Sequence, residues 1–219
     1  MKALKMNDLL KNLINYDFYD WEDEDNNKYV LKIGMPNNLL SKINFHELYD
    51  SWGFEAIENE YASPSFSQKE WLKLEEEFFT WLEKAGPYLF PKGKVLVTPS
   101  LERNWLLYEN SSPIWDETNE WIRQDYEKYY SNLLKAKIFE EPPSSKDDYR
   151  GAIIESYSEI KIVGKMAIKG VPLLFFSNEN LVVHITEYLS LLIYFKNHNS
   201  LEQGKTKLMN LLNAQILED

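Results

Sequence analysis

Apolar residues recur along this chain at two different spacings, and the alternation between them predicts interspersed helices and strands. Leu4, Leu9, Leu10, Leu13 and Ile14 keep near-helical period, so residues 3–16 read as an amphipathic helix. Tyr29, Leu31 and Ile33 alternate with Val30 and Lys32 ahead of Gly34 and Pro36, the pattern of a short strand closed by turn residues. Asn44 and Glu47 stand at capping-box spacing, with Phe45, Leu48, Tyr49 and Trp52 on one helical stripe and Gly53 as the stop. The clearest element is a helix over 68–85. Ser67 and Glu70 cap it, Gly86-Pro87 end it, and Trp71, Leu74, Phe78, Trp81, Leu82 and Ala85 form its buried face.

Val95 to Thr98 and Trp105 to Tyr108 then read as two strands of a hairpin around the turn at 99–103. From Pro113 to about Phe139 the set Trp115, Ile122, Tyr126, Tyr129, Leu133 and Ala136 holds helical spacing. Past a stretch at 140–148 with Pro142-Pro143, strands are expected near 160–168, 172–177 and 181–185, and helices at 187–196 and 201–216, the last capped by Ser200 and Gln203. Residues 150–158 fit helix or strand equally. Helices and strands mix without regular βαβ alternation, so the expected class is α+β, a mixed, partly antiparallel sheet packed by about six helices. One domain over 1–219 is expected. If the chain divides, it does so at 140–148, into an acidic, aromatic-rich part (1–140) and a C-terminal α+β part (149–219).

Charge sharpens this picture. The formal net charge is −11, and residues 1–150 carry 28 Asp and Glu against 18 Lys and Arg, so the acidity sits in the first two thirds. Nucleic-acid binding depends on Lys and Arg neutralising phosphates, and a chain with a pI near 4.9 and three arginines is expected to bind neither nucleic acid nor an anionic membrane. A basic partner would be attracted. The chain has no cysteine, and Asn7, Asp8 and Lys11 interrupt any apolar leader, so a cytoplasmic protein without a membrane segment is expected.

The densest chemical signal is Tyr16 to Asp25, where six carboxylates fall within nine positions among Tyr16, Phe18, Tyr19 and Trp21. Read as a calcium loop on Asp23, Asp25 and Asn27, it fails twice: Lys28 takes the turn glycine's place and Gly34 that of the bidentate glutamate. A solvated loop is the plain reading. A docking surface formed by Tyr19, Asp20, Trp21, Glu22, Asp23 and Glu24 is the sharper one, because aromatic anchors ringed by acids select basic proteins. His46 and Asp50 stand at i, i+4 on a predicted helix, a spacing that can chelate a divalent metal, with no second histidine at ligand spacing. Ser158 to Lys161 matches S-x-x-K without its companion motifs, and no phosphate-binding or nucleophile-elbow motif occurs, so no cofactor is expected. The leading expectation is a non-enzymatic interaction protein, in the manner of an immunity protein or antitoxin, that binds a basic protein. The alternative is a hydrolase or other small-molecule enzyme using dispersed carboxylates, in a metal-free or metal-assisted form.

Overall fold

The computed structural model describes residues 1–36, 38–39, 68–99, 105–106, 120–138, 149–177 and 181–217. Its frame is one eight-stranded sheet: β1 (Lys2–Lys5), β2 (Val30–Gly34), β3 (Val95–Pro99), β4 (Tyr149–Ile154), β5 (Leu173–Ser177), β6 (Leu181–Ile185), β7 (Ser190–Phe195) and β8 (Gln215–Ile216). The spatial order is β1-β4-β3-β5-β6-β7-β2-β8. Every pairing is antiparallel. Among the described residues six α-helices accompany it: α1 (Met6–Leu13), α2 (Gln68–Glu83), α3 (Gly86–Leu89), α4 (Glu120–Lys135), α5 (Tyr157–Ile168) and α6 (His198–Leu212). The fold is therefore α+β, as the mixed pattern of periods predicts, with a wholly antiparallel sheet where a partly antiparallel one is expected.

Strand alternation sends the two sets of side chains to opposite faces. Leu31, Ile33, Val95, Val97, Leu173, Phe175, Val183, Ile185, Leu191 and Ile193 face one way and join the main core with α2, α4, α5 and α6. The predicted buried face of α2 is buried as a set, from Trp71 to Ala85. Trp81 Nε1 donates to the Leu212 carbonyl at 2.8 Å, and the Tyr157 hydroxyl donates to the Phe79 carbonyl at 2.7 Å, tying α2 to both neighbouring helices. At the centre of this layer lies a charge cluster. Lys169 Nζ donates to Glu75 Oε2 at 2.7 Å and to Asp125 Oδ2 at 3.1 Å. Lys165 Nζ approaches Glu75 Oε1 at 2.9 Å without hydrogen-bond alignment, and Glu76 Oε1 at 2.9 Å. Burial alone would depress Lys165, but Glu75, Glu76 and Asp125 outweigh it and hold its ammonium above the ordinary lysine range. An arginine-poor chain thus neutralises its buried acids with two lysines four positions apart, Lys165 on α5 and Lys169 at its C-cap.

The opposite face is smaller in its packing. Leu9 from α1, then Tyr16 and Tyr19, close over Leu96, Leu174, Phe176, Val182 and Tyr194. Gly151 permits the approach, since a Cβ there would lie 2.9 Å from Leu9 Cδ1. The main core and this second layer both use β4, β5, β6 and β7 together with elements before residue 140, so one sheet draws strands from both sides of 140–148.

Several elements differ from the sequence expectation. The helix expected over 3–16 begins only at Met6, because Ala3 and Leu4 pair with Ala152 and Gly151 and extend the sheet edge. The hairpin expected between 95–98 and 105–108 has no open edge on β3 at Leu96 and Val97, and residues 100–104 and 107–108 lie outside the described residues. The two edges of β3 are taken by β4 and β5, and the buried Trp105 instead receives the Tyr129 hydroxyl on its carbonyl at 2.7 Å. The strand expected at 160–168 is helix α5, where β-branched Ile160, Ile162, Val163 and Ile168 imitate a strand in composition although Ile160, Val163 and Ala167 share a helical stripe. The helix expected at 187–196 is strand β7, folded back on β6 through a turn with Leu189 at φ 54°. The last helix is capped by Asn197, which accepts the Ser200 N–H at 2.9 Å, and not by Ser200. The helix predicted around 44–53 lies outside the described residues. Among the described residues no helix is long and apolar enough to cross a membrane.

Candidate functional site

The second face of the sheet is laid out in rows by the strand register. Val30, Tyr194, Val182, Phe176 and Leu96 are successive cross-strand neighbours, and two residues further along stand Lys32, Leu192, His184, Leu174 and Thr98. The segment from Tyr16 to Asn27 folds over the first row. Trp21 stacks on Phe176 with ring centroids 4.9 Å apart and planes 19° apart, while Tyr19 meets Tyr194 edge-on at 4.9 Å. The Tyr16 hydroxyl donates to the Ser177 carbonyl at 2.6 Å, and burial pushes that phenol up to about 12.

Polar bonds give the acidic segment a defined shape. Asp20 Oδ1 accepts the backbone N–H groups of Glu22 and Asp23 at 3.0 and 3.1 Å, and Asp20 Oδ2 accepts Asn26 Nδ2 at 3.1 Å. The Asp23 and Glu22 amides and the Asn26 side chain hold the Asp20 carboxyl below the ordinary aspartate range. Asp23 Oδ1 accepts the Asp25 N–H at 3.1 Å, starting a short 3-10 turn over Glu24–Asn26. The segment is therefore an ordered platform, in which the Glu22, Asp23 and Asp25 amides are satisfied by its own carboxylates.

Glu24 joins this platform to the sheet. Its Oε1 accepts the Tyr19 hydroxyl at 3.1 Å and its Oε2 the Tyr194 hydroxyl at 2.9 Å. Its Oε2 also stands 3.8 Å from His184 Nδ1, too far for a hydrogen bond, and that buried nitrogen has no hydrogen-bond partner among the described residues. The His184 imidazole, against the opposing effect of partial burial and with help from the Tyr194 and Tyr19 hydroxyls, holds the Glu24 carboxyl down at about 2. Both phenols are raised above the tyrosine range, by burial first and by the Glu24 charge next. The beginning and the end of the described chain thus meet in one Glu24–Tyr19–Tyr194–His184 cluster.

Of the predicted docking residues, Tyr19 is buried, Asp20 and Trp21 are half-buried, and Glu22, Asp23 and Glu24 are exposed. Asp20, Asp23 and Glu24 are occupied in holding the loop, which leaves Asp17, Glu22 and Asp25 as its outward charges. The predicted metal pair, His46 and Asp50, lies outside the described residues. Among the described residues no group of three or more His, Asp or Glu is placed to hold a metal ion. Ser158 and Lys161 of the S-x-x-K match do not form a site: Ser158 shares a hydrogen bond with Ser156, and Lys161 pairs with Glu76. Sequence reasoning missed His184. Its one local signal is that it stands among the apolar residues of β6 on the face shared with Val182, where an isolated polar residue marks a special position.

The geometry predicts a specific acid response. Glu24 ionises at about 2 in the folded protein against an ordinary 4.5, so its contribution is complete above 4.5 and is lost as pH falls toward 2. With its side chain 45% exposed, solvent screening reduces that contribution to roughly 1 kcal/mol. Urea unfolding of wild type and Glu24→Gln at about pH 5 and about pH 3 should show a smaller loss on acidification in the variant. Equal losses in both would mean that the carboxylate is not engaged. Comparison of the chain with protein-family models, with curated proteins and with solved structures finds no match.

Proposed function

We propose that the protein is an interaction module that binds a basic protein partner through the acidic platform at 17–25, in the manner of an immunity protein or antitoxin. The observation that carries this reading is the pre-formed shape of the platform. Asp20, Asp23 and Glu24 fix its backbone to itself and to the sheet, and Asp17, Glu22 and Asp25 are left exposed around the half-buried Trp21. Charges held in place before binding need little ordering on association, so their attraction goes into capture rate and orientation. Trp21 has one face against Phe176, and its remaining exposed surface offers an aromatic contact at the centre of the charged patch.

The test separates the outward acids from the structural ones. The immobilised full chain is used to capture partners from a lysate of its own organism, and the purified partner is then followed kinetically. The expected partner carries net positive charge, and its association slows as salt rises toward physiological ionic strength. The triple variant Asp17→Asn, Glu22→Gln, Asp25→Asn should slow association about tenfold at low salt, while Trp21→Ala should mainly speed dissociation. An association rate unchanged by the triple variant at low salt, or an acidic partner, would refute the reading.

A further inference from the structure

We propose that the exposed apolar row Met6, Leu10 and Ile14 along α1 receives an amphipathic helix of the basic partner, oriented with its lysines and arginines over the acidic platform. The inference rests on the platform reading and adds what the partner presents: an apolar ridge with its cations gathered at one end. Among the described residues five large apolar side chains are exposed, and three of them stand in this row, 36%, 49% and 72% exposed in chain order. The other two, Leu211 and Ile216, lie on α6 and β8.

The helical turn accounts for the row. Leu9 points into the second layer of the sheet, against Leu96 and over Gly151. At about 100° per residue, Met6, Leu10 and Ile14 fall roughly 60–140° round the axis from Leu9, on a flank left open to solvent. Four positions apart, they form one ridge about 12 Å long, and a ridge of this spacing is the element that packs into the grooves of a second helix. The polar side of α1 is satisfied within itself. Asp8 pairs with Lys11 at 3.7 Å, and the Asn12 and Asn15 side chains donate to the Asp8 and Asn12 carbonyls at 2.7 and 3.4 Å.

Charge changes sign along the row. Lys2 and Lys5 are exposed ahead of Met6, whereas Ile14 opens the 3-10 turn Ile14–Tyr16 that leads into Asp17 and the platform. Exposure rises toward that end, so the apolar surface is largest where the outward acids Asp17, Glu22 and Asp25 begin. A partner that covers Ile14 meets those acids beside it, and complementarity asks for cations there and not at the Met6 end. The same acids disfavour the other occupants. A second copy would bring up a body of the same net charge of −11, and an anionic lipid surface would be repelled as well.

The experiment uses two synthetic peptides of identical composition, titrated into the intact chain while its backbone amide resonances are followed. One carries leucines on a single helical stripe and lysines gathered in its last two turns; the other is scrambled. The amphipathic peptide is expected to give saturable shifts from Met6 to Asp17, and the scrambled one none. Leu10→Gln and Ile14→Gln, both at exposed positions, should each weaken that binding about tenfold at low and at physiological salt, while Leu211→Gln on α6 should leave it unchanged. The platform variant Asp17→Asn, Glu22→Gln, Asp25→Asn should weaken it chiefly at low salt. Equal binding of the two peptides, no saturable shift along α1, or wild-type affinity in Leu10→Gln and Ile14→Gln would overturn this proposal and leave the platform reading standing. A loss in Ile14→Gln with none in the platform variant at low salt would instead overturn the platform reading, with the ridge still holding its helix. Sedimentation of the chain alone and with phosphatidylcholine–phosphatidylglycerol vesicles covers the other occupants: a dimer or a vesicle-bound fraction that Ile14→Gln abolishes would also overturn the proposal.

Discussion

Lys169→Met is expected to destabilise the protein by about 3–5 kcal/mol, among the largest losses available to a single substitution in it. Lys169 and Glu75 have fully buried side chains, and Asp125 is nearly so. In water each charge would be solvated; in the helix layer they compensate one another, with Lys165 beside them. Removing the ammonium takes from Glu75 and Asp125 the nearer of their two lysines among the described residues, and a carboxylate stripped of its partner in a dry site costs far more than the intact pair contributes. For a chain of this length such a loss lowers the melting temperature on the order of 10 °C. The double variant Glu75→Gln, Lys169→Met should lose less than the sum of the two single variants, because the second change removes the charge that the first one orphaned. Calorimetric or urea unfolding of the four proteins reads this directly. A loss under about 1 kcal/mol for Lys169→Met would show that water reaches the cluster.

Phe78→Ala is the second large effect, expected at about 3–5 kcal/mol. Phe78 is completely buried on α2, with the Phe79 ring 5.3 Å away edge-on and the Trp81 ring 5.6 Å away. Neighbours this large cannot collapse into the space that the lost ring would leave, so the cavity cost adds to the lost transfer energy. Thr80→Ala on the exposed side of the same helix removes only a hydroxyl that bonds the Glu76 carbonyl, and should cost about 0.5 kcal/mol or less. Urea midpoints that fall equally for both variants would contradict the packing of α2.

Local pattern was enough for elements whose signals agree. In α2 the capping residues, the stop and the apolar stripe all coincide, and β2 and β6 are short apolar segments bounded by turn residues, so local pattern placed them. It failed where two signals compete. The apolar run of β7 is continuous because both faces of that strand are covered over most of its length, and a continuous run carries neither period. In α5 the β-branched composition pointed to strand, whereas burial against α2 and α4 selects helix. At the N-terminal end, Ala3 and Leu4 could continue α1, but a free sheet edge at β4 offers them hydrogen bonds that a first helical turn lacks.

Charge and composition likewise placed the acidic segment at 17–25 and its aromatic neighbours, since that cluster is contiguous in the chain. They could not say which of its carboxylates face outward. That division was decided by tertiary structure: Glu24 is drawn to the sheet by Tyr194 and His184, 170 and 160 positions away, and Asp20 turns inward to cap its own loop. The same holds for Lys165 on α5 and Lys169 at its C-cap, whose i, i+4 spacing is visible in sequence but whose acidic partners come from two other helices. Hydrophobic period is a property of neighbours along the chain and survives in the sequence. The pairing of a histidine with a distant glutamate depends on strand register and chain crossing, which no local spacing encodes.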